Sequence, residues 1–60
     1  MMWVIAKDKH KQRFVHKYTD GYGALIEAEI FGSKEAAEKS IKRNEEVVVE
    51  VELKIKERIV

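Results

Sequence analysis

The last quarter of the chain constrains its fold most strongly. From Val47 to Ile55 an apolar side chain occupies every second position, and most of the positions between are charged. An alternation of period two over this length predicts one extended β-strand over Val47–Val60, with an apolar and a charged face. At about 3.3 Å per residue that strand would span roughly 45 Å, whereas a compact monomer of this size is roughly 27 Å across. The predicted strand outreaches its own subunit and therefore requires a partner.

The size of the chain points to the same conclusion. Its 60 residues suffice for a single domain, and a domain this small is only marginally stable by itself. Cysteine is absent, which excludes disulfides and thiolate metal sites as supports. Oligomerisation is the support that remains, so the sequence predicts a homodimer. We expect the dimer interface to consist of the apolar residues of the last strand, namely Val47, Val49, Val51, Leu53, Ile55 and Ile59.

Three earlier segments have strand-like patterns. In the third of them, Ile26, Ala28 and Ile30 face one way and the intervening glutamates the other. The sequence Asp20-Gly21-Tyr22-Gly23 is typical of a tight type I′ hairpin turn, because Asp-Gly readily adopts its backbone angles. The predicted strands are Met2–Lys7, Arg13–Thr19 and Leu25–Phe31.

One helix is predicted between the third strand and the last. Ser33 is a favourable N-cap, and a helix is expected from Lys34 to about Asn44. Its apolar stripe is thin and consists mainly of alanine, so the helix is expected to cover a sheet and not to join a bundle. The predicted fold class is therefore α+β, a small antiparallel sheet of order β-β-β-α-β along the chain with one helix packed on it.

Charge is unevenly distributed along the chain. The net charge is only +1, but residues 1–19 carry five bases against one acid, whereas residues 20–60 carry seven bases against ten acids. Such asymmetry can direct one end of a molecule toward phosphate or an acidic protein surface, and equally it can favour self-association or simply keep a hairpin soluble. Tyr22, at the predicted turn, is either an exposed anchor or folded back over the sheet edge. The predicted partner-binding residues are Lys9, Lys11, Arg13, Lys17 and Tyr22.

Catalytic residues are not expected in this chain. His16 alternates with Phe14 and Tyr18, but no cysteine and no serine–acid arrangement accompanies it, so an interface or half-buried histidine is the simpler interpretation. His10 and His16 lack the spacing of a known zinc motif. The sequence therefore predicts no catalytic residue, no metal and no cofactor.

The sequence also carries no membrane signal. No apolar run approaches the eighteen or so residues of a membrane span, and the N-terminus shows no charged leader followed by an apolar core. We expect a cytoplasmic protein that does not contact a membrane.

The stretch Ile26–Glu38 (IEAEIFGSKEAAE) resembles a strand-to-helix step of small phage-encoded accessory proteins, in which a strand ends in phenylalanine and a serine-capped helix begins. The opening Trp3-Val4-Ile5 is similar to theirs, and the resemblance covers roughly residues 2–41. The group includes homodimeric inhibitors of bacterial immune systems, among them the kind directed against the Hachiman system. The resemblance implies an anti-defence role in the bacterial cytoplasm, but no functional residue carries over with it.

Together these expectations describe a non-enzymatic homodimer that inhibits a host protein by occlusion. The alternative function is a small nucleic-acid-binding regulator that uses the same basic hairpin, with lysines holding phosphates and nearby aromatic rings stacking on bases. The low net charge weighs against that alternative, because nucleic-acid-binding domains are generally strongly basic.

Overall fold

The computed structural model describes residues 1–52 and has an α+β fold, as predicted. Four strands form one antiparallel sheet in the order β3-β2-β1-β4, so that β4 is at an end of the sheet. One short helix, α1, packs on β1 and β4. The strands are β1 (Met2–Ala6), β2 (Phe14–Val15), β3 (Tyr22–Gly23) and β4 (Val47–Val51), and the helix α1 is Lys34–Lys39.

The two long strands, β1 and β4, form the centre of the fold. Met2 lies opposite Val51 and Ala6 opposite Val47, in an uninterrupted antiparallel register. On one face of this pair, Val4 and Ala6 are buried with Phe14 and Ala28, and the valines at 47, 49 and 51 pack against them. The first predicted strand and the start of the last are confirmed, because their alternation matches the observed faces.

The opposite face of the sheet carries the helix. Ile5, which points to this face, and Ala37 of the helix are both fully buried. The predicted N-cap is confirmed, since the Ser33 hydroxyl accepts a hydrogen bond from the Ala36 amide at 3.1 Å. Because the buried helix residue is an alanine, the helix can lie close to the sheet but removes little apolar area from water.

The helix is shorter than predicted and does not reach Asn44. It ends at Lys39, where the Ser40 amide bonds to the Ala37 carbonyl and the Ser40 hydroxyl donates to the Ala36 carbonyl. Farther on, the amides of Lys42 and Arg43, which a longer helix would have used, donate to the Glu46 carboxylate instead. The Glu46 side chain, three and four residues farther along the chain, thus takes the place of the backbone acceptors that a third helical turn would have supplied.

The predicted third strand over Leu25–Phe31 is wrong. Leu25–Glu27 form one turn of 3₁₀ helix, and the Glu27 carboxylate accepts the Ala24 amide at 3.2 Å. Side-chain capping of this kind competes with strand formation. Beyond the turn the segment touches the sheet through two single bridges, Ala28 with His16 and Phe31 with Trp3. Ala28 is buried but Ile26 is 86% exposed, so the predicted alternation of faces fails here.

The tight turn predicted at Asp20–Gly23 is also wrong. β2 and β3 pair through Val15 with Tyr22, so the connecting loop comprises residues 16–21. A type I′ turn needs positive φ at its two central residues, whereas no glycine among residues 1–52 has positive φ. Tyr22 belongs to the third strand and not to a turn tip.

The predicted dimer-interface residues fall into two groups. Val47, Val49 and Val51 lie in β4, where they are half-buried against the chain's own core. The part of the predicted Val47–Val60 strand after Glu52 lies outside the described residues. That part includes Leu53, Ile55 and Ile59.

Candidate binding surfaces

The predicted basic residues occupy two loops. Lys9, Lys11 and Arg13 lie in the connection from β1 to β2, and all three are exposed. We call residues 7–13 the basic loop. Lys17 is also exposed, but it lies in the loop of residues 16–21 at the other end of β2. The four basic side chains are close together in the sequence, but the fold places three of them in the basic loop and Lys17 in the loop at the other end of β2.

Tyr18 is the exposed aromatic side chain of the second loop. It is 81% exposed, and the Lys17 ammonium lies 5.2 Å from the centre of its ring. The His16 ring is 6.0 Å away at a tilted angle. A tyrosine on a loop, beside a cation, has the character of an interface anchor. The sequence predicts this anchor role for Tyr22, and it predicts Tyr18 on a strand face, as one of the aromatic rings that could stack on bases.

Tyr22 is held inside the fold. Its hydroxyl donates to a Glu46 carboxylate oxygen at 2.6 Å and accepts a hydrogen bond from the Arg43 guanidinium at 2.8 Å. The guanidinium also lies 5.5 Å from the centre of the Tyr22 ring, and the Lys7 ammonium lies 5.6 Å from it. We call Tyr22, Arg43 and Glu46 the tyrosine–glutamate cluster. The interpretation of Tyr22 as a side chain folded over the sheet matches this arrangement.

Glu46 is the buried member of the tyrosine–glutamate cluster, with 6% of its surface exposed. Its carboxylate accepts the Tyr22 hydroxyl and the amides of Lys42 and Arg43, at 2.8 Å and 3.3 Å for the two amides. These contacts fasten the connection between α1 and β4 to strand β3. Nothing in the local sequence of Glu46 distinguishes it from Glu45, which is exposed, so its burial could not be predicted from the sequence.

The tyrosine–glutamate cluster shifts the pKa of each of its members. Burial by itself raises the pKa of Glu46, but the hydrogen bonds from Tyr22 and the two amides, with the Arg43 charge, outweigh it, and the pKa lies below its ordinary value. The pKa of Tyr22 is raised, first by its hydrogen bond to Glu46 and then by burial. The pKa of Arg43 is raised, chiefly by its hydrogen bond to Tyr22. The cluster therefore holds an ionised carboxylate and a neutral phenol.

His16 is already bonded within the chain. Its Nδ1 accepts the Tyr18 amide at 3.0 Å, and its Nε2 lies 3.4 Å from a Glu27 carboxylate oxygen. The pKa of Glu27 is lowered, first by the Ala24 amide and then by His16. Both imidazole nitrogens of His16 are therefore engaged with groups of the chain itself.

An apolar groove lies on the sheet face opposite the helix. It has a volume of about 440 Å³. Three of its side chains are large and exposed, at 49% for Leu25, 86% for Ile26 and 52% for Ile30. Exposed apolar side chains that adjoin one another are typical of interaction surfaces. Sequence analysis missed this groove because it depends on the 3₁₀ turn. The groove is lined by Met2, Val4, Leu25, Ile26, Ile30 and Val51, with Glu52 at its end.

No family model matches the chain, and comparisons with curated proteins and with solved structures found no similar protein. Within residues 1–52, no three histidine or acidic side chains come together as metal ligands. Over the same residues, no helix has the length and apolar character needed to cross a membrane.

Proposed function

We propose that this chain is a non-enzymatic binding protein that works as a homodimer and occludes a host protein through its basic loop and Tyr18. The observation that carries the proposal is the exposure of every cation of the basic loop, with Asp8 as the only acid among residues 1–19. A surface of this kind fits an acidic protein surface, because complementary charge steers association and selects the partner. Tyr18 adds an apolar contact next to Lys17.

The resemblance to phage accessory proteins supplies the biological setting of this proposal. In that setting the chain is an anti-defence protein, and its partner is a component of a bacterial immune system. Bivalent presentation of the basic loop by a homodimer raises the avidity for a symmetric or extended target.

The partner can be sought by affinity capture. Tagged protein, incubated with lysate of bacteria that carry a defence system, is expected to retain one dominant protein at a fixed ratio. That protein, once purified, should bind in a calorimeter. The double variant Lys9→Glu with Lys11→Glu should lose the interaction. The variant Lys34→Glu with Lys39→Glu changes the net charge equally on the exposed side of the helix α1 and should retain the interaction. Equal binding by both double variants would contradict the assignment of the basic loop.

The anti-defence role has its own measurement. Expression of the chain in bacteria protected by a defence system, with the Hachiman system tested first, should increase plaque counts of a restricted phage. The double variant of the basic loop should give no increase at equal expression. Unchanged plaque counts across a panel of defence systems would contradict the anti-defence role while leaving the binding function open to the capture experiment.

Nucleic-acid binding is the second candidate function. The observation that favours it is the pairing of exposed Tyr18 with Lys17 and the exposed basic loop. Retention on single-stranded DNA or RNA at low salt, with an affinity that falls steeply as salt is added, would support this function. Absence of retention at low salt would exclude it.

A further inference from the structure

The hydrogen bonds of β1 reveal which way the backbone of β4 faces. The amide and carbonyl of Trp3 both bond to Phe31, at 2.9 Å and 2.8 Å, and the Lys7 amide bonds to the Arg13 carbonyl at 2.8 Å. Odd-numbered residues of β1 therefore direct their backbone groups toward the β2 side. Backbone direction alternates along a strand, so Met2, Val4 and Ala6 direct theirs toward β4.

The register carries this alternation over to β4. Three valines of β4 lie opposite the even-numbered residues of β1. These pairs are Val47 with Ala6, Val49 with Val4, and Val51 with Met2. These three valines therefore exchange their backbone hydrogen bonds with β1. The amides and carbonyls of Val48 and Glu50 point the other way, toward the open edge, since no further strand lies beyond β4 in the part of the chain that the structure describes.

Among residues 1–52, this edge has none of the usual protection against strand addition. Natural edge strands carry lysine, proline, a bulge or a covering element, whereas β4 reads Val-Val-Val-Glu-Val in a continuous register with β1. The five residues of β4 carry one charge. The amides and carbonyls of Val48 and Glu50 face outward, and such an edge can pair with another strand.

We propose that a second copy of this chain pairs with the β4 edge in antiparallel orientation, about a two-fold axis at Val49. In this arrangement Val48 and the partner's Glu50 exchange both backbone hydrogen bonds, and the symmetric pair does the same. The inference rests on the homodimer of the proposed function and specifies how its two copies meet. The joined sheets form one sheet of eight strands.

Side chains favour this register. With the axis at Val49, the Val49 side chains of the two copies face each other, and Val47 faces the partner's Val51, all on the face of the apolar groove. Such non-hydrogen-bonded pairs have the closest side-chain contact in an antiparallel sheet. An axis at Glu50 would also use the outward backbone groups, but it would place the two Glu50 carboxylates directly opposite each other at the centre of the pairing, which is unfavourable. The axis at Val49 brings glutamates opposite each other only beyond β4, where Glu46 is already bonded within its own chain.

The charges at the two ends of the β1–β4 pair favour the antiparallel sense and a second copy as the occupant. At the end with Ala6 and Val47, β1 continues into the basic loop, which has four Lys or Arg residues against Asp8, and β4 is preceded by Lys42, Arg43, Glu45 and Glu46, whose charges cancel. The end with Met2 and Val51 carries exposed Glu50 and Glu52. A two-fold axis brings the basic end of one copy beside the acidic end of the other. The chain thus presents both halves of a complementary interface.

Proline at position 50 tests the edge. Glu50→Pro removes an outward amide and leaves the bonds between β4 and β1 intact, since proline is tolerated at an outward-facing edge position. Each dimer then loses two hydrogen bonds, and we expect the dimer dissociation constant in sedimentation to rise by about tenfold or more. Glu50→Ala removes the same carboxylate and keeps the amide, so it measures the loss of the charge alone, and Glu50→Pro should dimerise about tenfold or more weakly than Glu50→Ala. Circular dichroism checks that both variants are folded.

A cysteine at position 49 tests the register even where the proline variant fails to fold. The chain has no cysteine of its own. Opposed Val49 positions fall within the Cα separation that a disulfide needs, so Val49→Cys should give a covalent dimer on mild oxidation. Lys39→Cys, on the exposed face of the helix, is the matched control and should cross-link much more slowly. Equal rates for the two variants would overturn the proposed register.

Failure of this inference is distinguishable from failure of the proposed function. If the unchanged chain is dimeric while folded Glu50→Pro dimerises equally well, the β4 interface is wrong and the homodimer stands. If the unchanged chain sediments as a monomer at all concentrations, both the interface and the homodimer are wrong, and host-protein binding is judged by the capture experiment alone.

Discussion

Tyr18 and Tyr22 are four residues apart, yet their environments are opposite. Tyr18 is 81% exposed and its neighbours are a lysine and a histidine on the same loop. Tyr22 is half-buried, and its hydroxyl has two partners more than twenty residues farther along the chain. The comparison teaches that a tyrosine whose hydroxyl is bonded inside the fold stabilises it, whereas a tyrosine without such bonds is available to a partner.

The two tyrosine environments also differ in whether they contribute to stability or to binding. The tyrosine–glutamate cluster joins β3 to the connection between α1 and β4, so it links distant parts of a small domain. The loop around Tyr18 is fixed by local bonds, such as that from the Gly21 amide to the Thr19 hydroxyl. Substitutions in the cluster should therefore affect stability, and substitutions in the loop should affect binding.

The largest effect is expected from Glu46→Ala. Removing this carboxylate leaves the Tyr22 hydroxyl and two backbone amides without their acceptor, and we expect a loss of about 2–4 kcal/mol in the free energy of unfolding. Urea denaturation followed by circular dichroism measures it. Glu45→Ala, at the exposed neighbouring position, is the control and should change stability by less than about 0.5 kcal/mol. Equal losses in the two variants would contradict the structural role of Glu46.

The two tyrosines themselves provide a matched pair of substitutions. Tyr22→Phe removes a hydroxyl that bonds to both charged members of the cluster, and we expect a loss of about 1–2 kcal/mol. Tyr18→Phe removes an exposed hydroxyl and should change stability by less than about 0.5 kcal/mol. The contrast between the environments would be refuted by a larger loss at position 18 than at position 22.

Gly23→Ala tests how closely strand β3 packs against the side chains of His16 and Glu27. A Cβ at this position would lie 2.8 Å from a Glu27 carboxylate oxygen and 3.1 Å from the His16 ring. The side chains must shift to accept it, which should cost about 1 kcal/mol of stability and disturb the contact between His16 and Glu27. Denaturation and the NMR chemical shifts of His16 report the two effects. Gly32→Ala, where an added Cβ meets nothing within 4 Å, is the control.

The smallest effect expected is a pH dependence of stability. Because the pKa of Glu46 is lowered in the fold, its contribution is complete above the ordinary value of 4.5 and is lost as the pH falls through the lowered one. The raised pKa of Tyr22 acts in the opposite direction: its contribution is complete below 10 and is lost as the pH rises through the raised value. Thermal unfolding across this range measures both. Glu46→Gln should reduce the acid-side loss, and an unchanged acid profile would contradict the assignment.

Local patterns predicted some elements and misplaced others. The alternation in Trp3–Ala6 and Val47–Val51 correctly predicts two strands and their faces, because backbone geometry alone sets a period of two. Leu25–Phe31 has the same alternation, but Glu27 turns back to cap the Ala24 amide and forms a 3₁₀ turn. Its pattern was thus compatible with two local structures, and side-chain bonding selected between them.

The amino-acid sequence was enough to predict the α+β class, the first strand and the start of the last, the serine that begins the helix and the excess of bases in the first nineteen residues. Each of these depends on neighbouring residues only. Tertiary structure decided which tyrosine is exposed, which glutamate is buried and where the apolar groove opens. Those outcomes depend on contacts between residues far apart in the chain, such as Tyr22 with Glu46, and no local pattern encodes which of two similar side chains will meet a distant partner.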